Sequence, residues 1–347
     1  MIPKGLFMHS GIFVIASALA LRAYTRGEEV VEKDGSVEIW GGTGAKVDRI
    51  EFESKSRKVT LEAAEDENGR YFIGTLVRPK ASESAPDEGD PHQALKTPDL
   101  SDPKVQRDTT RFIGVTDSQS LSDQLAPMKA LRVLGKLDKA RLGEFGFEQD
   151  HGTVRVTLAG KVHQLALGGQ TPGGSDAYAR DPDSGEAYVI SGTVTQPLQQ
   201  ADSRLVEHEM HGFAAEDVER VRIVKGAASR ELTRNADQKG FWSDARTVAA
   251  KDETASNWMS KLDRLRVSSY LENPNPPVKP EDLVMRVEYI GHHDKKLGYV
   301  ELVTRPPLNG ATQKEYGVKT EHIRWYASVL RSVGEQIEQD IGSVLTH

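Results

Sequence analysis

Glu207-His208-Glu209-Met210-His211 holds the densest ligand chemistry in the chain. Two imidazoles three residues apart, flanked by carboxylates, would share one face of a helix and could grip a metal ion there. Zinc sites take three or four protein ligands, and no third candidate lies nearby in sequence. A solvated polar linker is the better reading. His292-His293-Asp294 sits between two alternating runs, where an exposed hairpin turn is expected. Gly41-Gly42-Thr43-Gly44-Ala45-Lys46 has the look of a phosphate cradle, but the spacing of a P-loop is absent and a strand pattern follows it. Gly168-Gly169-Gln170-Thr171-Pro172-Gly173-Gly174 likewise precedes no helix and reads as a hairpin loop. There is no nucleophile elbow, no H-E-x-x-H and no cysteine. These readings name no catalytic, cofactor-binding or metal-binding residue and no cofactor, so the expectation is a protein that is not an enzyme.

The elements that carry these residues are organised around a repeat. Val218-Glu219-Arg220-Val221-Arg222-Ile223 echoes Val47-Asp48-Arg49-Ile50-Glu51-Phe52. Gly240-Phe241-Trp242 echoes Gly69 with Tyr71-Phe72 at the same displacement, since 218 − 47 and 240 − 69 are both 171. Leu265-Arg266-Val267 repeats Leu131-Arg132-Val133 at a displacement of 134, the shortfall being the size of a Pro-rich insert in the first copy. Arg286-Val287 is matched to Arg155-Val156.

The expected fold class is α+β: two tandem repeats of antiparallel β-sheet with one packed helix each, behind an N-terminal transmembrane helix. The boundaries are 1–26 for the anchor or signal peptide, 28–203 for module one and 204–347 for module two. In module one, Val59, Leu61 and Ala63 alternate with polar residues, and Asn68-Gly69 marks a tight turn. Residues 79–110, with five prolines among Ser, Asp, Glu and Lys, read as a long mobile loop, or as a partner-binding loop that orders in a complex. Leu121, Leu125, Met128, Leu131 and Leu134 recur at helical spacing, with Ser120 and Asp123 as a cap. Short strands follow through Val154–Leu158, Leu165–Leu167, Tyr178 and Tyr188–Ile190, and Pro197 opens a short helix. In module two, Trp258, Leu262 and Leu265 form the helical stripe, with Asp252 or Thr254 as N-cap. Asn273–Pro277 forbids regular structure, and Val329, Val333, Ile337 and Ile341 mark a terminal amphipathic helix from about Ser328.

Gly5–Leu21 carries no formal charge with His9 neutral, and as a helix it would span about 26 Å. That length is at the lower end of a membrane span. A retained single-pass anchor is favoured over a signal peptide cut after Ala18-Leu19-Ala20 and over a buried soluble helix, which would show a polar face. His9 and Ser10 interrupt the span, either near the headgroups or, with Phe13, at a contact with a partner's transmembrane helices. The charges at Lys4 and at Arg22 and Arg26 barely decide orientation. The net charge of −7 is spread without a basic block, which argues against nucleic-acid binding.

Several segments together resemble a bacterial envelope family, the domain of unknown function numbered four-three-four-zero. They are the Val-x-Arg-Ile strand with Gly240-Phe241-Trp242, the stretch Leu142-Gly143-Glu144-Phe145-Gly146-Phe147, and Leu165-Ala166-Leu167-Gly168-Gly169 with Tyr178 and Tyr188-Val189-Ile190 beyond it. The resemblance extends over most of 37–347 as two tandem copies. It implies a membrane-anchored auxiliary subunit of the bacterial inner membrane, its bulk in the periplasm. Its partners would be the permease and ATPase of an ABC-type transport or gliding-motility complex, with ATP hydrolysed by another chain. The alternative is a stand-alone protein that binds an envelope polysaccharide or lipid, with Trp242, Trp258 or Trp325 lining a groove.

Overall fold

A computed structural model describes residues 36–41, 44–80, 98–235, 241–248, 250–273, 275–306 and 312–346. The apolar N-terminal stretch, with His9, Ser10 and Phe13, lies outside the described residues, as do Gly240 and 81–97 of the Pro-rich insert. Among the described residues no helix is long and apolar enough to cross a membrane.

The fold is mixed α+β, dominated by antiparallel sheets. Alternation of buried and exposed side chains along Val47–Ser54 and Arg57–Asp66 makes β2 and β3, each with one face in the core. The Asn68-Gly69 turn returns the chain into β4, Gly69–Pro79, with Asp66 opposite Gly69. Then come β5 (Arg107–Gly114), helix α1 (Thr116–Leu125), β6 (Met128–Ala130), β7 (Arg132–Lys136), β8 (Thr153–Leu158), β9 (Lys161–Gln170), β10 (Ala177–Arg180) and β11 (Glu186–Ile190). The strand β1, Val37–Trp40, pairs with β6 as a two-stranded ribbon. Helices α2 (Gly192–Gln199) and α3 (Ala201–Arg204) close this half.

The second half holds β12 (Arg220–Lys225), β13 (Ala228–Arg234), β14 (Trp242–Asp244), helix α4 (Glu253–Leu262), β15 (Ser269–Tyr270), β16 (Leu283–Ile290), β17 (Lys296–Arg305), β18 (Glu315–Thr320), β19 (Ala327–Ser328) and helix α5 (Arg331–Thr346).

The strand orders are β5-β4-β3-β2-β8-β9-β10-β11-β7 and β14-β13-β12-β16-β17-β18-β19-β15. Apart from the additional edge strand β5, the two sheets run through the same sequence of neighbours. The register agrees as well: Ile50 faces Leu61, and Val221 faces Leu232, both 171 positions further on. The ladder corrects two sequence matches. Tyr188 faces Val133 and its counterpart Ala327 faces Tyr270, so Tyr270, not Val267, stands in the place of Val133. Phe52 faces Val154 and Ile223 faces Val287, so Val287 stands in the place of Val154, two residues before Val156.

Other expectations also change. The helical stripe ends at Leu125, because Pro127 offers no N–H and disfavours helical backbone before it. Met128 and Leu134 therefore fall on β6 and β7, and Leu131 is exposed between them. The Ser120–Asp123 cap is replaced by a start at Thr116. Each sheet carries two helices in contact, α1 with α2 and α4 with α5: beside the expected packed helix lie the short helix around Pro197 in one half and the terminal helix, which starts at Arg331, in the other. Pro197 lies inside α2, whose N-cap is Ser191. The part of 79–110 read as mobile that is described is ordered. Asp99 and Asp102 accept the N–H groups of Ser101 and Lys104, the Leu100 N–H reaches Lys55 O, and β5 begins at Arg107. Pairing with β4 gives the polar Arg107–Arg111 run its hydrogen bonds without demanding an apolar outer face. Asp252 does cap α4, accepting from Ala255 N at 2.8 Å.

Candidate functional site

Leu205–His211, read from sequence as a linker with a weak metal signature, is the seam between the two sheets. Glu207 is buried. Its Oε2 accepts the Thr116 N–H at 3.2 Å, so a residue 91 positions away caps α1, and its Oε1 accepts the Glu209 N–H at 3.0 Å. The Glu207 N–H in turn reaches Ile113 O on β5, and the Tyr270 hydroxyl on β15 donates to Glu207 O at 2.9 Å.

Two imidazole–carboxylate pairs cross this seam in opposite senses. His322 Nε2 lies 3.3 Å from Glu207 Oε2, and His211 Nδ1 lies 2.9 Å from Glu321 Oε1. Glu321 also accepts the Tyr299 N–H at 2.8 Å, and Thr320 donates to Met210 O at 2.6 Å. Burial alone would raise the Glu207 carboxyl. The hydrogen bond and charge of His322, with the N–H groups of Glu209 and Thr116, outweigh it and hold Glu207 below its ordinary value. The histidines of this run each face a separate protein partner. His208 Nδ1 is 3.1 Å from Val267 O, and among the described residues no group of three metal-ligating side chains forms.

Arg324 extends the seam to the β3–β4 turn. Its guanidinium meets Asp66 at 3.2 Å, donates to Asn68 O at 3.2 Å and to His322 O at 2.6 Å, and lies 4.7 Å over the ring of Tyr71. Its backbone sits at φ 54, a left-handed conformation that costs a non-glycine residue energy and that these contacts hold in place. Trp325 is buried beside it under the guanidinium of Arg111.

Beside the seam, under the C-terminal end of α4, lies a cavity of about 370 Å³. Met210, Val218, Met259, Leu262, Leu265 and Val300 make its buried apolar floor. Phe213, Trp242 and Tyr289 supply aromatic walls, and His211 stacks on Phe213 at 4.6 Å. Glu209, Arg234, Asp263 and Arg266 form a polar rim. The Asp263 side chain reaches solvent, yet crowding around its carboxyl raises it above the ordinary range against the pull of Arg234, His211 and Arg266. Burial raises the Tyr289 hydroxyl well above its usual value.

Of the other sequence candidates, His292 pairs with Glu219 and Asp294 with Arg220 in the β16–β17 turn. Gly173 and Gly174 adopt positive φ in the β9–β10 hairpin; Gly42 and Thr43 lie outside the described residues. Trp242, Trp258 and Trp325 are all buried, and of the three Trp242 is the one that lines this cavity. The Trp258 N–H donates to Ile337 O on α5. Sequence reasoning missed the Arg324–Asp66 contact and the cavity. A separation of 258 positions leaves no local pattern to read.

Residues 116–283 match the family model described as Domain of unknown function (DUF4340). The matched stretch begins with α1, runs through the seam at Leu205–His211 and ends at the first residue of β16. It supports the family to which the sequence motifs pointed. No curated protein matches the chain. No solved structure matches it.

Proposed function

We propose that this chain is a non-catalytic accessory subunit of an ABC-type transport or motility complex. It is held by its N-terminal apolar stretch in the bacterial inner membrane, and its two β-lobes stand in the periplasm. The observation that carries this reading is the match of residues 116–283 to the family that the strand and glycine motifs resemble. The junction supports it in physical terms. Imidazole–carboxylate contacts at Glu207–His322 and His211–Glu321, with the Arg324–Asp66 contact, join the sheets into one block, and a subunit that positions neighbouring proteins needs such stiffness. Permease helices would receive the N-terminal stretch, with His9, Ser10 and Phe13 at the contact, and a separate ATPase chain would hydrolyse ATP.

Gentle detergent extraction of the full chain, followed by affinity capture and mass spectrometry, tests the reading. A polytopic permease and an ATPase recovered in fixed ratio to the bait are expected. A bait that elutes alone from membranes containing both would overturn it.

A further inference from the structure

The matching strand order gives each place in one lobe a counterpart in the other, and one such pair differs in occupancy. Trp40 precedes Val47 by seven residues, as His211 precedes Val218. In the first lobe the Trp40 indole is buried, stacks on His163 at 5.0 Å, and donates its Nε1–H to Leu125 O at 2.8 Å. Leu125 is the last residue of α1; Leu262, the last residue of the equally long α4, lies on the cavity floor. His211 turns to Glu321, packs against Phe213 and Tyr289, and lines the cavity. The cavity thus lies against His211 and Leu262, the residues that stand where Trp40 and Leu125 stand in the first lobe.

We propose that this cavity is a binding site for a planar aromatic small molecule of indole size that carries a ring N–H or an aromatic amine. A void of about 150 Å³ lined by apolar side chains already admits benzene, and the space here is 370 Å³. Trp242, Phe213 and Tyr289 offer faces and edges to a ring. The Leu262 carbonyl takes the Leu265 N–H at 3.0 Å and keeps a second lone pair for a ring N–H. The Asp263 carboxylate on the rim receives no hydrogen bond among the described residues and is a second acceptor. The site requires neither a membrane nor a permease, so its fate is separable from that of the accessory-subunit reading.

Indole itself is the probe, titrated into the detergent-solubilised full chain and followed by calorimetry and ligand-observed NMR. Saturable binding at one site is expected, with a dissociation constant on the order of 0.1–1 mM for so small a ligand. Ala215→Trp, at an exposed position on the cavity mouth, should weaken it at least about tenfold while leaving the far-ultraviolet spectrum unchanged. The pair His211→Trp with Glu321→Gln, which places an indole where the first lobe has one, should abolish it. No saturation by about 5 mM indole overturns the proposal, as does binding that Ala215→Trp leaves untouched. Equal affinity for cyclohexanol overturns the requirement for a planar ring.

Discussion

Glu207 and His322 meet at 3.3 Å with both side chains at least nine-tenths buried, and this contact ties the segment between the sheets to the loop before β19. The same carboxylate caps α1 of the first lobe. One side chain therefore serves both halves of the molecule, and its charge state matters to each.

The folded protein holds the Glu207 carboxyl below its ordinary value of 4.5. A depressed carboxyl contributes stability that is fully present above the unfolded value and is lost as pH falls through the folded one. Glu207→Gln keeps the shape and removes the charge. It should cost about 1–3 kcal/mol at pH 7 and flatten the loss of stability below pH 4.5. Urea midpoints measured between pH 3 and 7 check this; parallel pH profiles for the two proteins would contradict it.

Arg324 should behave as the latch between lobes. Arg324→Ala removes the contacts to Asp66, Asn68 O and His322 O together and strands a carboxylate, at a cost of about 2–4 kcal/mol. Arg324→Lys should recover little, since one ammonium cannot span that set of acceptors. Denaturation of the alanine variant should broaden or split into two transitions as the lobes uncouple, and a single sharp transition at the wild-type midpoint would refute the latch.

Two glycines of α5 should respond to alanine with opposite signs. A Cβ at Gly334 would fall 2.4 Å from Cγ of the buried Tyr316, so Gly334→Ala should destabilise by about 1–3 kcal/mol. At Gly342 a Cβ meets nothing within 4 Å, and Gly342→Ala should stabilise by about 0.5–1 kcal/mol through helix propensity. Thermal melts of the two variants compare them directly.

Arg230 is a buried cation of the second lobe, held by Asp244 at 3.1 Å, Asp252 at 2.6 Å and Val344 O at 2.7 Å. It joins β13 to the cap of α4 and the end of α5. Arg230→Met leaves two carboxylates facing each other and should cost about 3–5 kcal/mol, read as a fall in the urea midpoint. Restoring stability at pH 3 relative to wild type would fit the same account, because protonation relieves that repulsion.

Much of the architecture could be read locally. The Asn68-Gly69 turn, the alternation along Val47–Phe52 and the Asp252 cap each depend on residues within one or two turns of chain. The 171-residue displacement carried the correspondence of the sheets further, into strand register. The misreadings also have local causes. Leu131 and Leu134 continue the helical spacing of Leu121 and Leu125, and only Pro127 signals that the chain has changed to strand. The polar run from Arg107 hides an edge strand because one face of it needs no apolar residues. The seam was the least legible part. His211 and Glu321 lie 110 positions apart, so a pairing that removes the appearance of a metal site leaves no trace in either segment alone.

The proposed seat of this chain against a permease in the membrane is tested most directly by site-specific cross-linking in intact cells. With p-benzoylphenylalanine in place of Phe13, illumination should give one dominant adduct whose partner is a polytopic permease. The same group at Val162, exposed on β9, should give no such adduct. Adducts from position 13 to lipid alone, or none in cells that express the permease, would contradict the account.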